Sequence, residues 1–232
     1  MIILKLNEDV TEKRKKLKRK RKVNEDLFNY TRMGLIINNK PHFVISVEEK
    51  NLVDEDFKRI LSRYKGEIIA SEKLSENEFI NELLFDEKPF MKKAIFQNFI
   101  KLFNNEKSKQ LNVFVCDFSF DLKDELPLLL PKIKTLTVKV SDDFCVRDWQ
   151  RKCFFEYGVK PNIVTDSNTD FIKYDVVANF DSINNKMLRI EFQNEKKEIY
   201  PERKFLELTK ELKLLSEFGL SESTICAAFK KY

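Results

Sequence analysis

Nine of the ten residues from Lys13 to Lys22 are basic: Lys13, Arg14, Lys15, Lys16, Lys18, Arg19, Lys20, Arg21 and Lys22, with Leu17 the lone interruption. So many like charges repel one another unless water or an anion matches them. Nucleic-acid phosphates would supply that match, giving affinity without sequence choice. A solvated loop or extended hairpin is the plainer reading, and an anionic membrane or acidic protein surface a third. The run also hides an asymmetry. The chain carries 43 basic and 38 acidic residues, net +5; outside the run 34 basic face the same 38 acidic, a net of −4. The rest of the molecule is acidic.

Other reactive side chains are few. His42 is the only histidine, on a predicted strand beside Pro41, and nothing near it marks a nucleophile, so it reads as structural. Cys116, Cys145, Cys153 and Cys226 show no C-x-x-C spacing, which argues against a structural zinc site. Cys145 and Cys153 sit on one predicted helix about 12 Å apart along its axis, too far for a disulfide. All four read as small buried hydrophobes. Trp149, between Val146 and Cys153 on a helical stripe, reads as core.

The elements that must position these residues change character near residue 108. Before it, a short apolar strand at 2 to 6 is followed by the basic run. Strands at 33 to 37 and 42 to 47 are joined by an Asn38–Pro41 turn. Phe57, Ile60, Leu61 and Tyr64 mark a helix over 54 to 65, a short strand follows at 67 to 70, and two phenylalanine-rich helical stretches lie between 75 and 104. After it, strands at 111 to 116, 135 to 140, 160 to 164 and 175 to 179 alternate with helices at 123 to 130 and 143 to 157. A possible edge strand follows at 188 to 193, then helices at 201 to 218 and 221 to 231. Such alternation predicts a doubly wound, mostly parallel sheet.

Residues 111 to 179 resemble a dinucleotide-binding domain, with Lys173-Tyr174-Asp175-Val176-Val177-Ala178-Asn179 similar to the fourth strand of dehydrogenase cofactor domains. That family grips pyrophosphate with a glycine-rich turn at a helix N-terminus. Here the turn reads Asp117-Phe118-Ser119-Phe120-Asp121-Leu122, without glycine and with two carboxylates that repel phosphate. Gly66, Gly158 and Gly219 each follow a predicted helix, and Gly34 opens a strand, so none remains for a phosphate cradle. No dinucleotide, cofactor or metal is expected. Asp142 or Asp143, after the second strand, reads as a helix cap.

Two further resemblances are fainter. Leu214 to Ile225 is similar to a helix-turn-helix, with Gly219 opening the turn and Ser221 capping the second helix; the following Ile225-Cys226-Ala227-Ala228-Phe229 lacks base-reading side chains, and Leu215 stands where a small residue is usual. A helix hairpin packed on the sheet is the other reading. Asp181 with Glu191-Phe192-Gln193 resembles the carboxylate pattern of metal-dependent nucleases, with Gln193 in place of the usual lysine; among 38 acidic residues such spacing arises by chance.

The expectation is thus an α/β protein: an α+β segment over 1–108, then a Rossmann-like doubly wound core with a C-terminal helix pair over 109–232, the two in intimate contact. It is read as a non-catalytic binding or regulatory protein whose basic segment engages nucleic acid or another anionic partner. The alternatives are a nucleotide or small-ligand binder with Asp117, Ser119 and Asp142 lining a crevice at the ends of the first two core strands, and a protein-interaction scaffold. Lacking a signal segment or membrane span, it is expected in the cytoplasm, and its abundance of Lys, Asn, Ile and Phe with little Gly, Ala and Pro, as AT-rich codons would encode, suggests a low-GC bacterium.

Overall fold

The computed structural model describes residues 1–6, 31–37, 39–142, 146–165, 173–184 and 186–229. The basic segment, Asp143 and Cys145 lie outside the described residues. The chain forms two compact units, Met1–Glu87 with Leu206–Tyr232, and Lys88–Phe205. This division differs from the one expected near residue 108. Phe96, Phe99 and Phe103 share a core with Val113 and Val115, so the helical segment from 88 to 103 stays with the second sheet.

In the first unit, β1 (Ile2–Leu6) is the second strand from one edge of a four-stranded sheet. It pairs in parallel with β3 (Lys40–Val47), which forms an antiparallel hairpin with β2 (Thr31–Ile37). The register puts Ile37 opposite Lys40 and Pro41 opposite Ile36, so Pro41 belongs to the strand and not to the expected turn. Asn39, at φ 60°, takes the left-handed conformation that Asn tolerates. Asp54 caps α1 (Glu55–Ser62) by accepting the Phe57 N–H at 2.9 Å. The chain then forms β4 (Ile68–Ala70), parallel to β1, and the short helices α2 (Glu72–Ser75) and α3 (Glu78–Asn81). Ile2, Leu4, Phe57, Leu61 and Leu74 fill one face of this sheet.

The second unit opens with α4 (Lys88–Phe99) and a six-stranded sheet. Its strands are β5 (Asn112–Cys116), β6 (Thr135–Lys139), β7 (Asn162–Val164), β8 (Val176–Asn179), β9 (Leu188–Phe192) and β10 (Glu195–Ile199), with α5 (Val146–Tyr157) between β6 and β7. The order is β7-β6-β5-β8-β9-β10; the first four strands pair in parallel, and the last two pairings, β8 with β9 and β9 with β10, are antiparallel. The chain thus runs outward from β5 to β7 and returns to place β8 on the other side of β5, the strand reversal of Rossmann-type sheets. Val113, Val115, Leu136, Val138, Val176 and Ala178 face a core shared with Phe96, Phe99, Leu129, Trp149 and Cys153.

Three local details differ from expectation. The helix expected at 123 to 130 is a 3₁₀ helix, Leu126–Lys132, after a turn. Pro131 has no N–H for the Pro127 carbonyl, and its ring would crowd that carbonyl in an α-helix. The strand at 188 to 193 is not an edge: β10 covers it, through a two-residue turn in which Gln193 and Asn194 both have positive φ, 50° and 66°. The helix expected over 201 to 218 is broken into α6 (Arg203–Leu206) and α7 (Lys210–Ser216), the latter capped by Thr209.

With α8 (Glu222–Phe229), α7 packs on the remaining face of the first sheet: Leu212, Leu215, Ile225 and Phe229 meet Ile3, Val44 and Ile69. The C-terminal helices therefore complete the N-terminal unit. In the second unit, Gly158 ends α5 at φ 70°, its N–H bonded to the Phe154 carbonyl at 2.9 Å. A Cβ there would meet nothing within 4 Å, so Gly158→Ala introduces backbone strain alone. It should cost about 1–2 kcal/mol, read as a shift of the urea midpoint followed by Trp149 fluorescence.

Candidate functional site: a sealed turn at the strand crossover

The site forms where β5 and β8 end side by side, at the reversal of strand order where open α/β sheets place their ligands. Asp117 and Ser119 follow β5, and Asp181 follows β8 in a short 3₁₀ turn, Phe180–Ser182. Lys92 comes from the buried face of α4, among Phe96, Phe99 and Ile95. Its ammonium lies 2.6 Å from Asp117 Oδ1, 2.7 Å from Asp181 Oδ1, 2.9 Å from Asp121 Oδ2 and 3.0 Å from Ser119 Oγ. The Lys92 side chain is 4% exposed and that of Asp117 0%.

Backbone groups use the outer carboxylate oxygens. Asp117 Oδ2 accepts the Leu122 N–H at 2.8 Å, and Asp181 Oδ2 accepts the Phe118 N–H at 2.8 Å. Ser119 Oγ donates to Asp121 Oδ2 at 2.7 Å. The turn's shape is held from below by Trp149, whose indole N–H donates to the Lys123 carbonyl at 2.6 Å. Its ring meets Phe120 edge-on at 5.1 Å, and Phe120 itself sits at φ 55°. From the side, the Ser141 N–H and hydroxyl both donate to the Phe118 carbonyl, at 3.1 and 2.8 Å. Trp149 is thus core, as its spacing indicates, and also a clamp on the turn.

Burial alone would push the Lys92 ammonium toward neutrality, but hydrogen bonds to Asp117, Asp181 and Asp121 outweigh it and hold its pKa well above the ordinary lysine value of 10.5. Burial pushes Asp117 up, only partly countered by Lys92 and the Leu122 N–H. Asp121 is also penalised by burial, yet Ser119 and Lys92 bring it below the usual carboxylate range. Lys92 is therefore a fixed cation, unsuited to act as a nucleophile or base at neutral pH. The nearby Cys116 thiol is pushed up to about 11, first by burial and then by Asp181, which leaves it unreactive.

In a dinucleotide-binding turn, backbone N–H groups stay open for phosphate. Here two of them are occupied by the chain's own carboxylates, and the 3₁₀ segment offers no α-helix N-terminus. The cation at the centre of the three aspartates is a lysine, and among the described residues no group of three or more His, Cys, Asp or Glu is placed to hold a metal.

Of the crevice residues expected from sequence, Asp117 and Ser119 come together in this cluster, while Asp142 is exposed and is not among the groups bonded to Lys92. Asp181 is a partner of Lys92 and not of Glu191, which is exposed on β9; Gln193 sits in the β9–β10 turn. Lys92 was not singled out by motif, although its place among Ile95, Phe96 and Phe99 at helical spacing is a signal: a lysine on an apolar stripe needs a buried acid. His42 is buried against Phe229, ring centroids 5.0 Å apart, its pKa lowered chiefly by burial. Cys116, Cys153 and Cys226 are buried thiols.

The helix-turn-helix candidate has the expected turn, with Ser221 Oγ accepting the Thr224 N–H at 3.2 Å and Gly219 at φ 73°. Yet Ser223, Ile225, Cys226, Ala227 and Phe229 are all buried, Ile225 and Phe229 in the core of the first sheet, which leaves little of α8 to enter a DNA groove. A cavity of about 80 Å³ in the first unit, lined by Ile2, Phe43, Phe57, Leu61 and Tyr64 among others, is far below the size of nucleotide pockets. No helix among the described residues is long and apolar enough to cross a membrane.

No protein-family model matches the chain, and no curated protein matches it in sequence. Among solved structures it is similar to L-tryptophan dehydrogenase from Nostoc punctiforme, at 13% identity and a TM-score of 0.24, over 53% of this chain. The match spans 37% of that enzyme's length. The chain's own strand order defines the fold: an α/β protein with a six-stranded, mostly parallel sheet and a smaller mixed one.

Proposed function

We propose that this is a non-catalytic nucleic-acid-binding protein in which the segment Lys13–Lys22 contacts phosphates and the two α/β units form the body that carries it. The observation behind the reading is charge placement: nine cations in ten residues on a remainder of net −4. A body of that sign repels polyanions, so the segment is the feature that would overcome this repulsion. The turn chemistry supports the choice against a nucleotide enzyme. A phosphate at the strand crossover would have to displace Asp181 and Asp117 from the N–H groups they already hold.

The test is binding of the intact chain to duplex DNA, single-stranded DNA and RNA over a salt series, beside a variant with the nine basic residues replaced by Gln. Affinity that falls with salt and is lost in the variant supports the reading. No binding by the intact chain at low salt overturns it.

A further inference from the structure

Helix α5 buries Val146, Trp149 and Cys153 and turns the opposite stripe outward. On that stripe, Arg147, Arg151, Phe154 and Phe155 follow at i, i+4, i+7 and i+8, so their side chains are neighbours on one helical surface. Phe155 is 83% exposed and Phe154 52%, their rings edge-to-face at 6.1 Å. Two phenyl rings this open to water are unusual for a chain that buries Phe57, Phe96, Phe99, Phe103, Phe114 and Phe180 almost completely. Arg151 and Lys152 are themselves largely exposed, at 75% and 67%, in long surface pairs with Asp148 at 3.5 Å and Glu156 at 3.9 Å, and Lys160 lies exposed just past the helix end. From 146 to 160 there are four cations and two acids, Asp148 and Glu156, a local positive balance on an otherwise acidic body.

From this juxtaposition we infer that the outward stripe of α5 is a stacking platform for single-stranded nucleic acid, the rings taking base faces and Arg147, Arg151 and Lys152 the adjoining phosphates. Unstacked bases offer π-faces to phenyl rings and guanidinium planes whatever their sequence, and backbone phosphates would compete with Asp148 and Glu156 for cations that these exposed surface pairs hold only weakly. A second copy of the chain is a poorer occupant. A two-fold contact would bring like guanidinium groups together, and two phenylalanines fall well short of the area a stable dimer buries. The inference rests on the nucleic-acid reading of the basic segment and adds a preference that segment cannot provide, for single strands over duplex.

The test uses the full chain and a Phe154→Ala/Phe155→Ala variant, whose exposed positions leave the core intact, with short oligo-dT, oligo-rU and a duplex of matched length. Single-strand affinity should drop about five- to a hundredfold in the variant. Duplex affinity and the salt slope should stay unchanged, since stacking releases no counterions. A Phe155→Trp variant should show fluorescence quenching on adding oligo-dT, against a buried Trp149 background. Unchanged single-strand affinity in the double variant, with the intact chain still binding, overturns this inference and leaves the basic-segment reading standing. Failure of the intact chain to bind any nucleic acid overturns both. A dimer of the intact chain that the double variant abolishes assigns the stripe to a second copy instead and overturns the stacking role.

Discussion

Replacing Lys92 with methionine should destabilise the second unit by about 3–5 kcal/mol at neutral pH, enough to unfold a marginal domain. The change keeps most of the side-chain volume and removes only the charge, leaving Asp117, Asp121 and Asp181 crowded together without their counterion. The sole tryptophan, Trp149, reports on this unit, so its fluorescence during urea unfolding isolates the effect. The pH dependence then supplies a sign. In the native chain Asp121 has a lowered pKa, so its contribution is present above the ordinary value of 3.8 and is lost as pH falls through its lower folded value. Asp117, raised by burial, works in the opposite direction, favouring the folded state on acidification.

Lys92→Met removes the cation that partly offsets burial at Asp117 and helps hold Asp121 low, so the variant should gain stability as pH drops from 7 toward 4. At the alkaline end the native chain should lose stability above pH 10.5, as the unfolded state releases a proton that folded Lys92 retains. The variant should lack that contribution. Combining Lys92→Met with Asn at the three aspartates should recover much of the loss. Equal stability of native chain and single variant at pH 7 would show that the ammonium does not hold the carboxylates.

The largest effect on binding should come from the basic segment. If six to nine of its side chains contact phosphates, the slope of log affinity against log salt should be roughly −5 to −8. Raising salt from about 50 to 200 mM should then cost on the order of a thousandfold or more in affinity. The Gln-substituted segment should abolish that slope along with the affinity, leaving an acidic body that phosphates repel. A shallow slope with affinity retained in the variant would place binding elsewhere on the chain.

Much of the fold was legible because strands β5 and β8 are near-continuous apolar runs, as parallel strands buried on both faces must be, while β6 alternates Leu136 and Val138 with threonines. The absence of glycine in the turn after β5 was legible too, and it marks the turn in which Asp181 and Asp117 take the Phe118 and Leu122 amides. Other elements gave weaker local signals. Glu195-Lys196-Lys197-Glu198-Ile199 has almost no apolar alternation, since an edge strand is defined by its partner's hydrogen bonds more than by its own side chains. The pairing of the C-terminal helices with the N-terminal sheet is a long-range contact that periodicity does not encode. The ion cluster joins residues 25 to 89 positions apart, so no spacing rule could assemble it. The one local signal is the oddity of a lysine within an apolar helical stripe, which by itself names no partner.

The most direct measurement is amide hydrogen exchange at Phe118 and Leu122, with and without millimolar NAD or inorganic pyrophosphate. If the turn is sealed by Asp181 and Asp117, both amides should be protected in the free protein and unchanged by either compound. Amides that exchange freely and become protected only when pyrophosphate is added would contradict the sealed turn and restore a phosphate-ligand site at the strand crossover.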